Sequence, residues 1–137
     1  MPIKRLGYLV GIPVPYRDRR GHRLPSRERR EWTRKTQELL TGCFGGSTLI
    51  PAPGMNVVQG DDGQLITLYE NGQTLVLAAC TTRGDFIRRQ SQIASFAEMM
   101  ATALDQESVF VLAFPSDSFL VEGRYVDQLE DGGDDNE

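Results

Sequence analysis

The chain has 137 residues, of which 39% are hydrophobic and 25% are charged, with a formal net charge of −4 at pH 7. This size and composition are typical of one globular domain with its own core. No apolar run approaches the roughly 20 residues of a membrane-spanning helix, and glycines and a proline interrupt the apolar run at residues 6–14, so we expect no signal peptide. The two cysteines do not make a disulfide framework. We therefore expect a reduced, cytoplasmic protein.

Charge is divided unevenly along the chain. Residues 1–40 carry eleven Lys or Arg and four Asp or Glu, a net charge of +7, whereas the remaining residues sum to −11. The last eleven residues, 127–137, contain six acids and no base. Such a segment has little apolar surface to bury. We therefore expect a single domain over residues 1–126, followed by a disordered acidic tail.

The first third of the chain predicts a strand and a helix. Residues 6–14 are rich in strand formers and end at prolines, and a polar, arginine-rich loop follows. Ser26 is suited to cap a helix in which Trp32, Thr36 and Leu40 recur at helical spacing. Glycines then end this helix.

The middle of the chain predicts the centre of a sheet. Residues 47–50 form a short second strand, and the prolines and glycines of residues 51–64 indicate a loop. Residues 65–80 contain two apolar runs separated by Asn71-Gly72, which favours a β-hairpin turn because both residues tolerate positive φ. The second run has no polar alternation and predicts a central strand buried on both faces.

The last third predicts a helix and two strands. An apolar stripe indicates a helix over residues 86–105, and residues 109–114 read as a buried strand. A Pro-Ser-Asp-Ser turn at residues 115–118 leads into a terminal hairpin strand at residues 119–122.

This order predicts a ferredoxin-like α+β domain. The βαββαβ succession gives an antiparallel sheet with two helices on one face, plus the terminal hairpin strand. We place the first and third strands in the centre, parallel to each other. The other sheet face must be solvated or covered, and its apolar strands favour self-association as a dimer or trimer.

The sequence lacks the residues that several kinds of active site need. His22 is the only histidine and lies in the arginine-rich loop, so a triad built on a positioned histidine is not supported. The cysteines and the histidine have no zinc spacing, and we expect no metal or cofactor. The glycines near residue 45 lack the lysine of a phosphate-binding loop. They stop the helix, or Gly45, Gly46 and Ser47 present backbone amides to an anion.

Four arginines, Arg17, Arg19, Arg20 and Arg23, crowd the loop after the first strand. They would contact nucleic-acid phosphates, although no aromatic residues are interleaved to stack bases. Alternatively, they form a solvated surface that pairs with the acidic tail, or they grip a small anion such as a carboxylate or phosphate.

Two polar pairs, Tyr69-Glu70 and Gln106-Glu107, lie where predicted strands meet loops. Carboxylates at such edges commonly just face water. If Glu70 and Glu107 meet at one rim, within a subunit or across a boundary, they would hold a cation, or one would act as a base with a raised pKa.

The run DQESVFV at residues 105–111 resembles phage-encoded S-adenosylmethionine (SAM) lyases, as do the Tyr69-Glu70 pair and FLVEG at residues 119–123. Those are small ferredoxin-like proteins, similar to PII signalling proteins, that assemble as trimers with sites between subunits. The resemblance, over residues 65–123, implies that Glu70 and Glu107 face the sulfonium and that Tyr69 and Gln106 orient the substrate. The Phe-Gly-Gly-Ser motif at residues 44–47 and the Gln-Glu-Ser-Val motif at residues 106–109 are also similar to small bacterial proteins of unknown function.

Three functions remain open at this point. The first is a lyase that degrades SAM to methylthioadenosine and homoserine lactone, as the resemblance implies. The second is a non-catalytic module that binds a nucleotide-like ligand or a protein partner. The third is nucleic-acid binding through the arginine-rich loop.

Overall fold

The computed structural model describes residues 3–123, and the predicted acidic tail lies outside them. The main sheet has the order β2-β5-β1-β6, and a separate two-stranded sheet pairs β3 with β4. Every strand pair is antiparallel. The elements are β1 (Ile3–Val14), α1 (Ser26–Phe44), β2 (Thr48–Pro51), β3 (Gly54–Gln59), β4 (Leu65–Glu70), β5 (Thr74–Cys80), α2 (Arg83–Ala103) and β6 (Leu112–Val121).

The core lies between one face of the main sheet and the two helices. Side chains alternate along a strand, so every second residue faces the helices and is buried from Tyr8 onward in β1 and from Val76 onward in β5. The helices contribute residues three or four positions apart, which share one face. The core includes Val10, Ile12, Val76, Ala78, Trp32, Leu40, Ile93 and Met100.

The mixed class, the two helices and the antiparallel sheet are confirmed, but the strand order differs from the prediction. Residues 51–64 were expected to be a loop, yet they contain β3, which pairs with β4 outside the main sheet. The central strands β1 and β5 run antiparallel, so the expectation that they are parallel is wrong. The central positions of β1 and β5 in the main sheet are as predicted.

The expected hairpin at Asn71-Gly72 is wrong. These residues connect β4 to β5, but the two strands belong to different sheets. Neither residue has a positive φ, so the turn is not of the type that closes a two-residue hairpin. Gly72 is needed for a different reason, because a Cβ there would overlap the ring of Tyr16.

The expected turn at residues 115–118 is also wrong, because β6 continues through it. The pairing of β6 with β1 shifts register between Leu6 and Tyr8, which lie opposite Ser118 and Pro115. At this irregularity the Ser118 hydroxyl donates to the Leu6 carbonyl at 2.6 Å. A bulge therefore accommodates the proline that the sequence presents as a turn signal.

The helix boundaries differ from the prediction by a few residues. Pro25, rather than Ser26, occupies the N-cap position of α1, and no side chain caps that end. Gly45, with φ of 95°, ends the helix as predicted. A capping box between Thr82 and Asp85 opens α2 earlier than expected. Within residues 3–123, neither helix combines the length and apolar character needed to cross a membrane.

Candidate functional site: a groove beside Glu70

Glu70, the last residue of β4, is buried beneath the loop that follows β1. Its side chain is 2% exposed, and its Oε2 accepts hydrogen bonds from the backbone N–H groups of Tyr16 and Arg17, each at 2.9 Å. Strand alternation turns Leu68 and Glu70 inward, whereas Tyr69 between them is 55% exposed. The carboxylate therefore fastens the loop to the end of β4.

Burial also changes the acidity of this group. Loss of solvent raises the pKa of Glu70, and the two backbone hydrogen bonds and the charge of Arg17 oppose that rise only in part. The Arg17 guanidinium is fixed nearby, because it donates to the carbonyls of Tyr69 at 2.9 Å and Gly21 at 3.1 Å. Glu70 therefore holds its proton at a higher pH than a surface glutamate does.

The end of α2 places Gln106 beside the same loop. Asp105 adopts a left-handed φ of 51°, and the Gln106 N–H then bonds to the Ala101 carbonyl at 2.9 Å. The side-chain Nε2 of Gln106 donates to the carbonyls of Arg17 at 2.7 Å and Leu104 at 2.9 Å. These bonds engage the amide nitrogen, so the Oε1 is the side-chain atom suited to accept a hydrogen bond from a ligand.

A cleft of about 200 Å³, here called the first compartment, lies between the end of β1, the β3–β4 sheet and the segment after α2. Four of the sequence-predicted residues line it together, namely Arg19, Glu70, Gln106 and Glu107. Two carboxyl groups and one amide thus share one cleft. Its apolar lining consists of Pro13, Pro15, Val57, Leu68, Val109 and Phe110.

An adjoining cleft of about 270 Å³, here called the second compartment, continues from the first. Arg19 and Glu107 line both compartments. Arg20 and His22 line the second from the arginine-rich loop, and the tip of the β3–β4 sheet lies across from them. The two compartments therefore form one groove, with Arg19 and Glu107 at the junction.

The structure does not bring the other predicted binding residues to this groove. Gly45 and Gly46 follow the end of α1, where the Gly45 N–H donates to the Thr41 carbonyl at 2.8 Å. The Ser47 hydroxyl lies 3.0 Å from that of Thr41. None of these residues lines either compartment. Nor does Tyr69, which meets the loop through its backbone carbonyl.

Most of the loop arginines are engaged within the chain. Arg17 donates to the Gly21 carbonyl, as described above. Arg19 forms an ion pair of 2.8 Å with Asp105, and Arg23 donates to the Tyr16 hydroxyl at 3.2 Å. Arg20 is exposed, and its guanidinium has no ion pair or hydrogen bond with residues 3–123. Arg20 is therefore the loop arginine most available to a ligand.

One aromatic residue does lie among these arginines, contrary to the expectation from sequence. The guanidinium carbons of Arg17, Arg23 and Arg29 lie 5.4, 6.0 and 4.7 Å from the centre of the Tyr16 ring. These contacts are cation–π interactions that pack the loop against α1. Nucleic-acid binding through the loop stays a prediction.

Several contributors to the groove were not identified from the sequence. The backbone N–H donors of Tyr16 and Arg17 could not be predicted from residue type, because any residue except proline supplies an N–H. The wall formed by β3 was missed because glycines and prolines suggested a loop. The apolar residues Met55, Val57 and Val58 were the available signal for a strand.

The described part of the chain offers no evident metal centre. Residues 3–123 contain no group of three or more His, Cys, Asp or Glu side chains placed to hold a metal ion. Glu70 and Glu107 share the first compartment as a pair only.

Comparison with known proteins gives a likeness in structure. No family model matches the chain, and no curated protein matches it. A phage SAM lyase in complex with S-methyl-5'-thioadenosine is 13% identical, with a TM-score of 0.55, over 92% of this chain and 98% of that one. A phage SAM lyase in the apo state is 14% identical, with a TM-score of 0.54, over 88% and 93% of the two chains. The loose resemblance expected from the sequence is thus supported, and at this identity it shows the fold.

Proposed function

We propose that this protein is a SAM-degrading lyase that binds its substrate in the groove beside Glu70. The observation that carries the proposal is the shared fold with phage SAM lyase, combined with Glu70, Gln106 and Glu107 in one cleft. The order β2-β5-β1-β6 supports a ferredoxin-like domain in which β3 and β4 are an insertion.

The proposed reaction is an intramolecular displacement. A carboxylate oxygen of SAM attacks the carbon bonded to sulfur at the far end of the amino-acid chain. A C–O bond forms as the C–S bond breaks, and the bonding electron pair stays on sulfur. The products are homoserine lactone and the neutral thioether methylthioadenosine, so no proton, water or external reactant is consumed.

This chemistry needs positioning more than it needs a strong base. The carboxylate and the sulfonium lose their charges as the reaction proceeds, so negative side chains attract the substrate more strongly than the transition state. Glu107 and ionised Glu70 would therefore bind the sulfonium, and the Gln106 Oε1 would orient the substrate. Tyr69 would contact the substrate only from a neighbouring subunit, because it does not line the groove.

The direct test is incubation of the purified full chain with SAM, followed by chromatography for methylthioadenosine and homoserine lactone. The variant Glu107→Gln should raise KM about tenfold, since a contact to a charged group is removed, and should change kcat less. Glu98→Gln, at an exposed position of α2 that lines neither compartment, is the matched control and should behave as wild type.

Absence of both products from the wild-type reaction would contradict the lyase proposal. If SAM or methylthioadenosine still raised the melting temperature, the groove would belong to a non-catalytic binding module, because a ligand of the folded state stabilises it by mass action. If neither compound changed the melting temperature, a small-molecule function of this kind would be excluded as well.

A further inference from the structure

We propose that the second compartment is a subsite for the α-amino-acid head of the ligand, with Arg20 as its carboxylate-binding residue. This inference rests on the proposed function, because it assigns the amino-acid end of SAM to one part of the groove. The adenosyl sulfur would then lie near the junction with the first compartment, beside Glu107.

The loop that carries Arg20 is held in one conformation by Asp18. The Asp18 Oδ1 accepts hydrogen bonds from the backbone N–H groups of Arg20 and His22, each at 2.9 Å. The Asp18 N–H donates to the His22 carbonyl at 2.8 Å, and the Gly21 N–H donates to the Asp18 carbonyl at 3.0 Å. Gly21 has a φ of 91°, a conformation that suits glycine. The turn therefore fixes the backbone that carries Arg20 and His22 before a ligand binds, so only their side chains become ordered on binding.

The charges on the two walls match an α-amino acid. On the loop wall, Arg20 is a cation free of partners within residues 3–123, and the Nδ1 of His22 lies 3.5 Å from the Asp18 carboxylate. Asp61, at the tip of the β3–β4 sheet, lines the same compartment. A guanidinium would bind a carboxylate through charge-assisted hydrogen bonds, and the Asp61 carboxylate would bind the ammonium group.

The junction between the compartments explains how one ligand would span both. Glu107 lines both compartments and carries the negative charge that a sulfonium needs. Arg19 also lines both, but its pairing with Asp105 at 2.8 Å offsets its charge. A cation at the junction therefore meets Glu107 beside an Arg19 charge that Asp105 offsets.

Two adenosyl thioethers test the subsite by isothermal titration calorimetry on the full chain. S-adenosylhomocysteine carries the amino-acid head, and methylthioadenosine has a methyl group in its place. The wild type should bind the first about tenfold or more tightly than the second. In Arg20→Gln and in Asp61→Asn this preference should fall to about twofold or less, and Arg20→Lys should retain part of it. Arg27→Gln, on the exposed surface of α1 outside the groove, is the control and should retain all of it.

Each result distinguishes the subsite from the proposed lyase reaction. An unchanged preference in Arg20→Gln overturns the subsite, even if the variant still degrades SAM. Equal losses for both thioethers also overturn it, because Arg20 would then act on the shape of the loop. A preference that depends on Arg20, in a protein that does not degrade SAM, supports the subsite and removes the lyase reaction. Failure of the wild type to bind either compound overturns both.

Discussion

The burial of Glu70 should make the stability of the fold depend on pH. Its pKa is raised in the folded chain by loss of solvent, so the folded state binds this proton more tightly than the unfolded state. That contribution is complete below the pKa of an unfolded glutamate and is lost as the pH rises through the folded pKa. Glu70→Gln, which has no proton to lose, should therefore gain stability relative to wild type as the pH rises above about 4, the pKa range of an unfolded glutamate. Urea unfolding across this range measures the difference, and two parallel stability curves would contradict the prediction.

Gly72 should be intolerant of any side chain. A Cβ at this position would overlap the Tyr16 ring, which itself packs against the guanidinium of Arg29. We expect Gly72→Ala to lower the free energy of unfolding by about 1–3 kcal/mol, the usual cost of overpacking. The control is Gly46→Ala, where an added Cβ would meet no atom within 4 Å. Its free energy of unfolding should stay within about 0.5 kcal/mol of wild type. Equal effects of the two substitutions would show that the Tyr16 contact is not the cause.

At the scale of residues, the sequence identified side chains better than their surroundings. Glu70, Gln106 and Glu107, which line one cleft, were singled out as polar residues where predicted strands meet loops. The reason that Glu70 is buried could not be found, since its partners are two backbone N–H groups more than fifty positions away. Gly45 and Gly46 were recognised as a helix stop, and the structure gives them no place in the groove.

The start of α2 offers a test at the scale of an element. The Thr82 side chain accepts a hydrogen bond from the Asp85 N–H at 3.1 Å, and the Asp85 carboxylate accepts one from the Thr82 N–H, also at 3.1 Å. Thr82→Ala should lower the free energy of unfolding by about 1 kcal/mol, because a helix N–H loses its partner. Thr102→Ala, near the other end of α2, removes a hydroxyl that bonds within the helix and should change stability by less than about 0.5 kcal/mol. Chemical denaturation compares the two, and equal losses would contradict a capping effect.

Elements with a regular spacing of apolar residues were predicted well, whereas those inferred from turn residues such as glycine, proline and asparagine were not. The apolar stripes of α1 and α2 place Leu40, Ile93 and Met100 in the core, as their spacing indicates. Asn71-Gly72 and Pro115 are local signals that tertiary pairing overrides. The pairing of β4 with β3, rather than with β5, depends on tertiary contacts that no short stretch of sequence contains.

At the scale of the whole molecule, no helix of residues 3–123 packs against one of the two faces of the main sheet. The register places Leu9, Leu77, Leu112 and Phe114 on this face, opposite the side chains that contact α1 and α2. The first three are half-buried, and Phe114 is 41% exposed. The lack of polar alternation in β5 predicted a strand buried on both faces, whereas in the single chain one face is buried and the other is half-buried. A contiguous apolar surface of this kind favours association.

We propose that two or more copies associate through this open face, as the apolar strands predicted. Phe114→Lys should shift the protein towards monomer, since a charge would have to be buried against an apolar partner surface. Met99→Lys places the same charge on α2, at a position 58% exposed and away from the sheet, and should leave the assembly unchanged. Analytical ultracentrifugation at micromolar concentration measures both. A wild type that sediments strictly as a monomer would remove the oligomer and any contribution of Tyr69 from a second subunit. Dissociation by both substitutions would place the interface elsewhere or indicate a general loss of stability, which urea unfolding of the variants would distinguish.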